Sequence, residues 1–189
     1  MLELLNEIDR ELILLINGAG SPTWDEIMLF LSAKWVWVPL YIAIVTMLIR
    51  NFEGDFWIPL LFITALIVLT DQTTSSFMKP CFSRLRPCRN EDLAELIRLI
   101  GKCGGKYGFA SSHAANTMGL AIFINAMVPR RIGWLLISWA LMVGFSRIYL
   151  GVHFPGDVIV GFILGGVLGL LLVRLMLLSF PKVGERISR

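Results

Sequence analysis

The chain has 189 residues, of which 56% are hydrophobic and 16% are charged, and its formal net charge at pH 7 is +3. An ordinary soluble domain is about 45–50% apolar and about 25% charged, so this composition favours an integral membrane protein. The small net charge and the lack of a basic face with groove-reading elements exclude nucleic acid as a predicted partner.

The first residues predict an amphipathic helix over 1–20. Apolar side chains recur at the spacing of one helix face, at Leu4, Leu5, Ile8, Leu12 and Leu15. The segment is acidic and lacks a small-residue cleavage site, so it is not read as a signal peptide. The helix either lies on the membrane surface or packs against the rest of the protein.

Five mainly apolar segments follow, on the scale of the roughly 20 residues that cross a bilayer as a helix. They cover about 35–49, 56–77, 111–128, 133–150 and 155–178. We therefore predict one all-α domain over 1–189, an integral membrane bundle of about five transmembrane helices plus the N-terminal helix. Glycines at 161, 165 and 169 in the last segment favour close helix packing within the bundle, with homodimerisation as the alternative.

The longest polar stretch, 78–110, connects the second and third spans and is predicted to contain a short helix at 91–100. It holds all three cysteines, Cys81, Cys88 and Cys103, whose spacing fits no zinc pattern. Three free thiols is the preferred interpretation. The alternative is a Cys88–Cys103 disulfide with one thiol left over, which requires an oxidising compartment.

Alternating span directions bring four span ends to one membrane face. That face carries the unusual polar residues of the chain, Lys79, Arg86, Ser111, His113, Arg147, His153 and Asp157. The chain has only two histidines, and their presence on the same face favours catalysis over a structural role. Arg50, Arg130 and Arg131 lie in short loops on the opposite side, which predicts that the site faces the periplasm or exterior of a bacterial inner membrane.

These side chains suit the hydrolysis of a phosphate ester, which needs cations, a nucleophile and an acid. Lys79, Arg86 and Arg147 can bind the phosphate oxygens. Ser111 and Ser112 begin the third span, where backbone N–H groups favour an anion, and plain helix capping is a compatible alternative.

His153 and Asp157 are four residues apart, so both side chains can lie on one helix face. Asp157 can then accept a proton from one ring nitrogen of His153 and leave the other nitrogen free to attack. Alone, Asp157 would be read as a helix cap; beside His153 and Arg147 it is assigned the orienting role.

The polar residues resemble the three motifs of the type 2 phosphatidic acid phosphatase superfamily, K-x6-R-P, P-S-G-H and S-R-x5-H-x3-D. The first motif is matched by Lys79 with Arg86-Pro87, and the third by Ser146-Arg147, His153 and Asp157. The second reads Ala110-Ser111-Ser112-His113, so its proline and glycine are replaced while its serine and histidine remain. The resemblance covers about 70–170.

The resemblance implies a membrane lipid phosphatase, of the phosphatidylglycerophosphate or undecaprenyl pyrophosphate phosphatase type, with a two-step reaction that uses no metal or cofactor. His153 would attack phosphorus to form a phosphohistidine, and Asp157 would orient it. His113 would protonate the leaving oxygen and then activate water. The phosphoryl oxygens would be held by Lys79, Arg86, Ser111, Ser112 and Arg147.

Two further residues have open roles. Arg84 is a candidate for a second phosphate or a lipid headgroup, and a solvated loop arginine is the alternative. Asp71, inside the second span, either has a structural role or supports Lys79.

The expected partners are a lipid phosphate and membrane lipids, with no obligate protein partner. Candidate substrates are undecaprenyl pyrophosphate, phosphatidylglycerophosphate, phosphatidate and a lipid A phosphate. A vanadate-dependent haloperoxidase and a non-enzymatic transporter are the alternatives. The hydrophobic spans argue against the first, and the collection of charge at one face argues against the second.

Overall fold

The computed structural model describes residues 2–187, and within this range the chain is built of α-helices, short helical turns and loops. The helices run α1 Leu2–Gly18, α2 Pro22–Ser32, α3 Val38–Phe52, α4 Trp57–Gln72, α5 Lys79–Phe82, α6 Glu91–Ala94, α7 Ser112–Asn125, α8 Arg130–Tyr149, α9 Pro155–Ser179 and α10 Pro181–Ile187. A π-helical turn, Thr73–Met78, joins α4 to α5 without a break. The predicted all-α class is confirmed.

Four helical stretches are long and apolar enough to cross a membrane, Lys34–Asp55, Trp57–Phe82, Arg130–Tyr149 and Pro155–Ser179. They correspond to the predicted first, second, fourth and fifth spans. The predicted third span is α7, which has 14 residues and is therefore only about 21 Å long at 1.5 Å per residue. Most of α7 is buried among the other helices, so its apolar side chains face protein on all sides.

The contact between α7 and α9 forms the centre of the bundle, and glycines make it close. A Cβ atom on Gly161 would lie 2.6 Å from the Ser111 carbonyl oxygen, and one on Gly169 would lie 2.8 Å from the Gly119 carbonyl oxygen. Only residues without a side chain fit at these separations, because real Cβ atoms do not approach backbone oxygens so closely. The predicted packing role of the glycine series within the bundle is confirmed.

The N-terminal helix α1 packs against the rest of the protein, which is one of the two placements that the sequence left open. The predicted leucine face is exposed, with Leu4 58% and Leu15 69% accessible. The opposite face, with Asp9, Ile13 and Asn17, is buried against the bundle. This helix is thus docked on the protein through a partly polar face while its apolar face points outward.

The long polar loop is shaped by backbone pairing and a disulfide. Gly108 N donates to the Arg84 carbonyl at 2.9 Å, and the two chain segments run antiparallel from there. Their pairing brings Cys88 beside Cys103, with a Cα–Cα distance of 6.0 Å, and the two form a disulfide. The preferred interpretation of three free thiols is therefore wrong for this pair, and Cys81 is the free cysteine.

The helix predicted at 91–100 is shorter in the structure, where α6 ends at Ala94. Beyond it, Arg98 N donates to the Asn17 side chain of α1 at 2.8 Å. A contact with a distant segment replaces the hydrogen bond that would have continued the helix.

Candidate active site

The imidazole of His153 lies in the connection between α8 and α9 and is 2% exposed. Arg86 Nη1 donates to its Nε2 at 2.8 Å, and its Nδ1 lies 3.2 Å from Asp157 Oδ2. A guanidinium can only donate, so Nε2 must be the accepting nitrogen. The neutral ring therefore carries its proton on Nδ1, directed at Asp157, and keeps its lone pair on Nε2.

The surroundings of His153 favour the neutral ring. Burial lowers the pKa of His153 well below its usual value, and the positive charges of Arg86, Arg147 and Lys79 lower this pKa further. A neutral imidazole is the form that can act as a nucleophile.

Asp157 occupies the first turn of α9 and is fully buried. Its Oδ2 accepts from the Phe154 backbone N–H at 3.1 Å as well as facing His153, and its Oδ1 accepts from Arg84 at 2.9 Å. The carboxylate is thus placed to accept from His153 and from the backbone at the start of α9 at the same time, so the predicted orienting role and the alternative capping role are geometrically compatible.

The three predicted phosphate-binding cations meet the two histidines around one cavity. Lys79, Arg86 and Arg147 line it together with His113 and His153. Arg86 also donates to the Val152 carbonyl at 3.0 Å, and Arg147 donates to the Ser32 hydroxyl. The backbone N–H of His153 donates to the Arg147 carbonyl at 3.3 Å, so the loop after α8 folds back on the arginine that precedes it.

The two serines of the second motif occupy different environments. Lys79 Nζ donates to Ser112 Oγ at 2.7 Å, and Ser112 lines the cavity. The hydroxyl of Ser111 is buried and caps α7 by accepting from the Ala114 N–H at 3.5 Å. The backbone N–H of Ser111 donates to the Asp157 carbonyl at 2.9 Å, which ties the starts of α7 and α9 together.

Arg84 points to the other side of Asp157. It forms ion pairs with Asp157 at 2.9 Å and with Asp9 of α1 at 2.7 Å. It lines a second, smaller cavity of about 380 Å³ rather than the one that holds the histidines.

Two residues near the site, Lys34 and Asp9, were not assigned by sequence reasoning. Lys34, at the start of the first span, lines the main cavity, as does Asp71, for which the sequence left two roles open. The signal for Lys34 was its position on the predicted site side of that span. Asp9 reaches the site through α1, and nothing in the local sequence pattern indicates its partner.

The main cavity has a volume of about 650 Å³ and two chemically distinct ends. One end holds the histidines and the cations. The other is walled by apolar residues of α3 and α4, Ile44, Val45, Leu48, Leu60, Ile63 and Ile67. A ligand that fits both ends carries an anionic group on an apolar chain.

Within residues 2–187 no group of three or more histidine, cysteine, aspartate or glutamate side chains is placed to hold a metal ion. The positive charge in the cavity is supplied by arginine and lysine side chains. Together with the two histidines, these define a helical membrane protein equipped for phosphoryl transfer.

The chain belongs to the PAP2 superfamily, whose family description matches residues 56–180. It is 41% identical to a lipid A 4'-phosphatase of Bacteroides thetaiotaomicron over 88% of this chain and 76% of that protein. It is 36% identical to a lipid A 4'-phosphatase of Porphyromonas gingivalis over 89% of this chain and 72% of that protein.

A solved structure supports the same relationship. The crystal structure of Aquifex aeolicus LpxE superimposes with a TM-score of 0.63 at 28% identity, covering 87% of this chain and 93% of that one. A PAP2 type phosphatidylglycerolphosphate phosphatase from Bacillus subtilis shares the fold, with a TM-score of 0.64 at 23% identity. The chain is an integral membrane lipid phosphatase, a hydrolase of phosphate esters, as the sequence motifs predicted.

Proposed function

We propose that this phosphatase removes the 4'-phosphate of a lipid A-type glycolipid, through a phosphohistidine on His153. The observation that carries the proposal is the two-ended cavity, in which cations and histidines meet an apolar wall between α3 and α4. The substrate class is supported by the two relatives named lipid A 4'-phosphatase, each aligned over most of this chain.

The first step is an in-line attack of His153 Nε2 on phosphorus. A P–N bond forms and the P–O bond to the lipid breaks. His113, which takes up a proton when the phosphate dianion binds beside it, gives that proton to the leaving oxygen. Before the substrate binds, Arg86 donates a hydrogen bond to the Nε2 lone pair. When the substrate binds, Arg86 donates to the phosphoryl oxygens instead, which leaves Nε2 free to attack. Asp157 stabilises the Nδ1 proton while the ring gains positive charge.

The second step releases phosphate. His113, now neutral, takes a proton from a water molecule that attacks phosphorus on the side opposite His153. The P–N bond breaks and its electron pair returns to Nε2. Lys79, Arg86 and Arg147, with the Ser112 hydroxyl beside Lys79, neutralise the oxygens in both transition states.

We further infer that the site faces the periplasm or the exterior, with the protein in a bacterial inner membrane. The Cys88–Cys103 disulfide lies in the site-side loop, and disulfides persist in oxidising compartments. Arg50, Arg130 and Arg131 at the opposite end support a cytoplasmic placement of that end.

The test is phosphate release by the purified chain in detergent with EDTA. The panel contains a lipid A 4'-phosphate, undecaprenyl pyrophosphate, phosphatidylglycerophosphate and phosphatidate. We expect the lipid A substrate to give the highest kcat/KM, and His153→Ala and His113→Ala each to lose at least about 10³-fold of kcat. Glu95→Gln, an exposed change in the long loop, is the matched control and should retain activity.

The intermediate is tested by quenching turnover of ³²P-labelled substrate in base. We expect base-stable, acid-labile label on the wild-type chain and on His113→Ala, and none on His153→Ala. Robust turnover by His153→Ala would overturn the nucleophile assignment. A higher kcat/KM for undecaprenyl pyrophosphate would overturn the substrate assignment, and loss of activity in EDTA would overturn the metal-free mechanism.

A further inference from the structure

On the side away from His153, the carboxylate of Asp157 binds Arg84, which also pairs with Asp9. Arg84 Nη1 donates to Asp157 Oδ1 at 2.9 Å, while Arg84 Nη2 donates to Asp9 Oδ2 at 2.7 Å. Asp157 in turn lies 3.2 Å from His153 Nδ1. Four side chains therefore form a continuous series from the N-terminal helix to the nucleophile, in the order Asp9, Arg84, Asp157, His153.

Arg84 is the cation that serves Asp157 rather than the substrate. Lys79, Arg86 and Arg147 line the main cavity, where a phosphate would occupy their donors, whereas Arg84 does not line it. The Asp157 side chain is 0% exposed and that of Arg84 is 22% exposed. A buried carboxylate needs a counter-charge with good hydrogen-bond geometry, and one that turns to the substrate cannot supply it continuously.

Asp9 fixes the same region at a second point. Its Oδ1 accepts from the Gly156 backbone N–H at 2.8 Å, one of the free N–H groups in the first turn of α9. A Cβ on Gly156 would lie 2.6 Å from Asp9 Oδ2, so a side chain at this position would displace the Asp9 carboxylate. Asp9 thus binds both Arg84 and the helix turn that carries Asp157.

The helix that supplies Asp9 is firmly placed. Ile13 is fully buried, and the Asn17 amide donates to the Tyr149 carbonyl at 2.7 Å and to the Arg98 carbonyl at 2.9 Å. Arg84 lies over the Phe154 ring, 4.3 Å from its centroid, which fixes the guanidinium between α1 and the start of α9. This helix lies outside residues 56–180, which match the family.

We propose that Asp9 and Arg84 are positioning residues for catalysis, through which the docked N-terminal helix holds Asp157 and His153 in the reactive geometry. The inference rests on the proposed roles of His153 and Asp157. Neither Asp9 nor Arg84 touches the reacting atoms. Their loss lets the Asp157 carboxylate turn or take a proton, so that it no longer orients the Nδ1–H of His153.

The test compares Asp9→Asn, Arg84→Lys and Arg84→Met with the wild-type full-length chain in detergent, using the lipid phosphate that the panel above shows to be turned over. Hydrogen-bond partners that orient metal-ligating histidines contribute about 10–100-fold to affinity or activity, and we take the same range for partners that orient His153 through Asp157. We expect kcat to fall by about 10–100-fold in Asp9→Asn and Arg84→Met, with KM within about threefold of wild type. Arg84→Lys keeps the charge but cannot reach both carboxylates, so its kcat should be intermediate.

Three controls make the result specific. Glu11→Gln removes an exposed carboxylate from the same helix and should keep wild-type kcat. Thermal melting and size-exclusion elution show whether each variant is folded. If Arg84→Met does not fold, the kcat of Asp9→Asn alone tests the positioning role. In the double variant Asp9→Asn/Arg84→Met the losses should not add, because both act through the same carboxylate.

Wild-type kcat in folded Asp9→Asn would overturn the proposal, as would a loss confined to KM in folded Arg84→Met. The proposed function fails separately, through turnover by His153→Ala. A chain in which His153→Ala is inactive and Asp9→Asn is fully active would retain the function and refute the positioning role.

Discussion

At the scale of single residues, the proton on His153 is determined by its two partners. Arg86 requires Nε2 to accept, and Asp157 faces Nδ1. Burial and the neighbouring cations lower the pKa of His153, so the ring loses its proton at a lower pH than free histidine, whose pKa is about 6.5. Above that lowered pKa, including at neutral pH, the ring is neutral.

We therefore expect His153 to remain neutral at pH 6 in the resting enzyme. The chain has two histidines, so ¹⁵N-histidine labelling gives two sets of ring resonances, and His113→Asn leaves that of His153 alone. The resonances should report a neutral ring protonated on Nδ1 from pH 8 down through pH 6. A His153 ring that titrates at or above pH 6.5 would contradict the assignment.

The two serines of the second motif should separate in function. Ser112→Ala removes the hydroxyl that Lys79 binds in the cavity, so we expect kcat/KM to fall by about 10-fold, in line with one hydrogen bond to a charged group. Ser111→Ala removes a helix cap, which should reduce stability by about 1 kcal/mol.

Steady-state kinetics and thermal melting on the same preparations check both serines. The larger kinetic loss should belong to Ser112→Ala and the larger loss of melting temperature to Ser111→Ala. The reverse order would show that Ser111, rather than Ser112, binds the phosphate.

At the scale of elements, the contact between α7 and α9 sets the geometry of the site, because His113 lies in the first turn of α7 and Asp157 in the first turn of α9. A Cβ on Gly165 would overlap the backbone of Ala115, whereas one on Gly166 would meet Met118 Cγ at an ordinary 4.0 Å. The two neighbouring glycines therefore form a matched pair for testing this contact.

We expect Gly165→Ala to destabilise the protein by about 1–3 kcal/mol, the usual cost of overpacking a core. It should also reduce kcat, since the separation of α7 and α9 must increase. Gly166→Ala should leave both the melting temperature and kcat near wild type. Equal effects of the two substitutions would show that α7 and α9 do not pack as closely as this structure has them.

The helices and loops also show which features the sequence could predict and which it could not. The apolar spans, the glycine series and the convergence of Lys79, His113 and His153 follow from periodicity and from the alternation of span directions. The buried face of α1 and the shortened α6 do not, because both depend on Asn17 bonding to residues far along the chain. The Cys88–Cys103 pairing likewise follows from the backbone pairing around Arg84 and Gly108, which spacing alone does not reveal.

At the scale of the whole molecule, the candidate active site lies at one end of the bundle and a pair of arginines lies at the other. The site, its disulfide and the docked N-terminal helix lie at one end, and Arg130 and Arg131 begin α8 at the other. A lipid that enters from the leaflet at the site end would place its phosphate among the cations while its chains stay against the apolar wall of α3 and α4. Because the site lies at one end, the orientation of the protein in the membrane determines which leaflet supplies its lipid.

Orientation can be read from the cysteines that the chain already has. Cys81 is free and exposed on α5 at the site end, whereas Cys88 and Cys103 are protected as a disulfide. With the site end in the periplasm, as proposed, Cys81 should react with a maleimide that passes the outer membrane but cannot cross the inner membrane. The label should appear in cells whose inner membrane is intact, and Cys81→Ser should abolish it.

The matched control moves the thiol to the other end, as Arg131→Cys in the Cys81→Ser background. Arg131 is exposed at the start of α8, so this thiol should react only after the inner membrane is permeabilised. The reverse pattern would place the site in the cytoplasm. It would also remove the oxidising surroundings that the Cys88–Cys103 disulfide requires, so the same cells should then contain both of these cysteines as thiols.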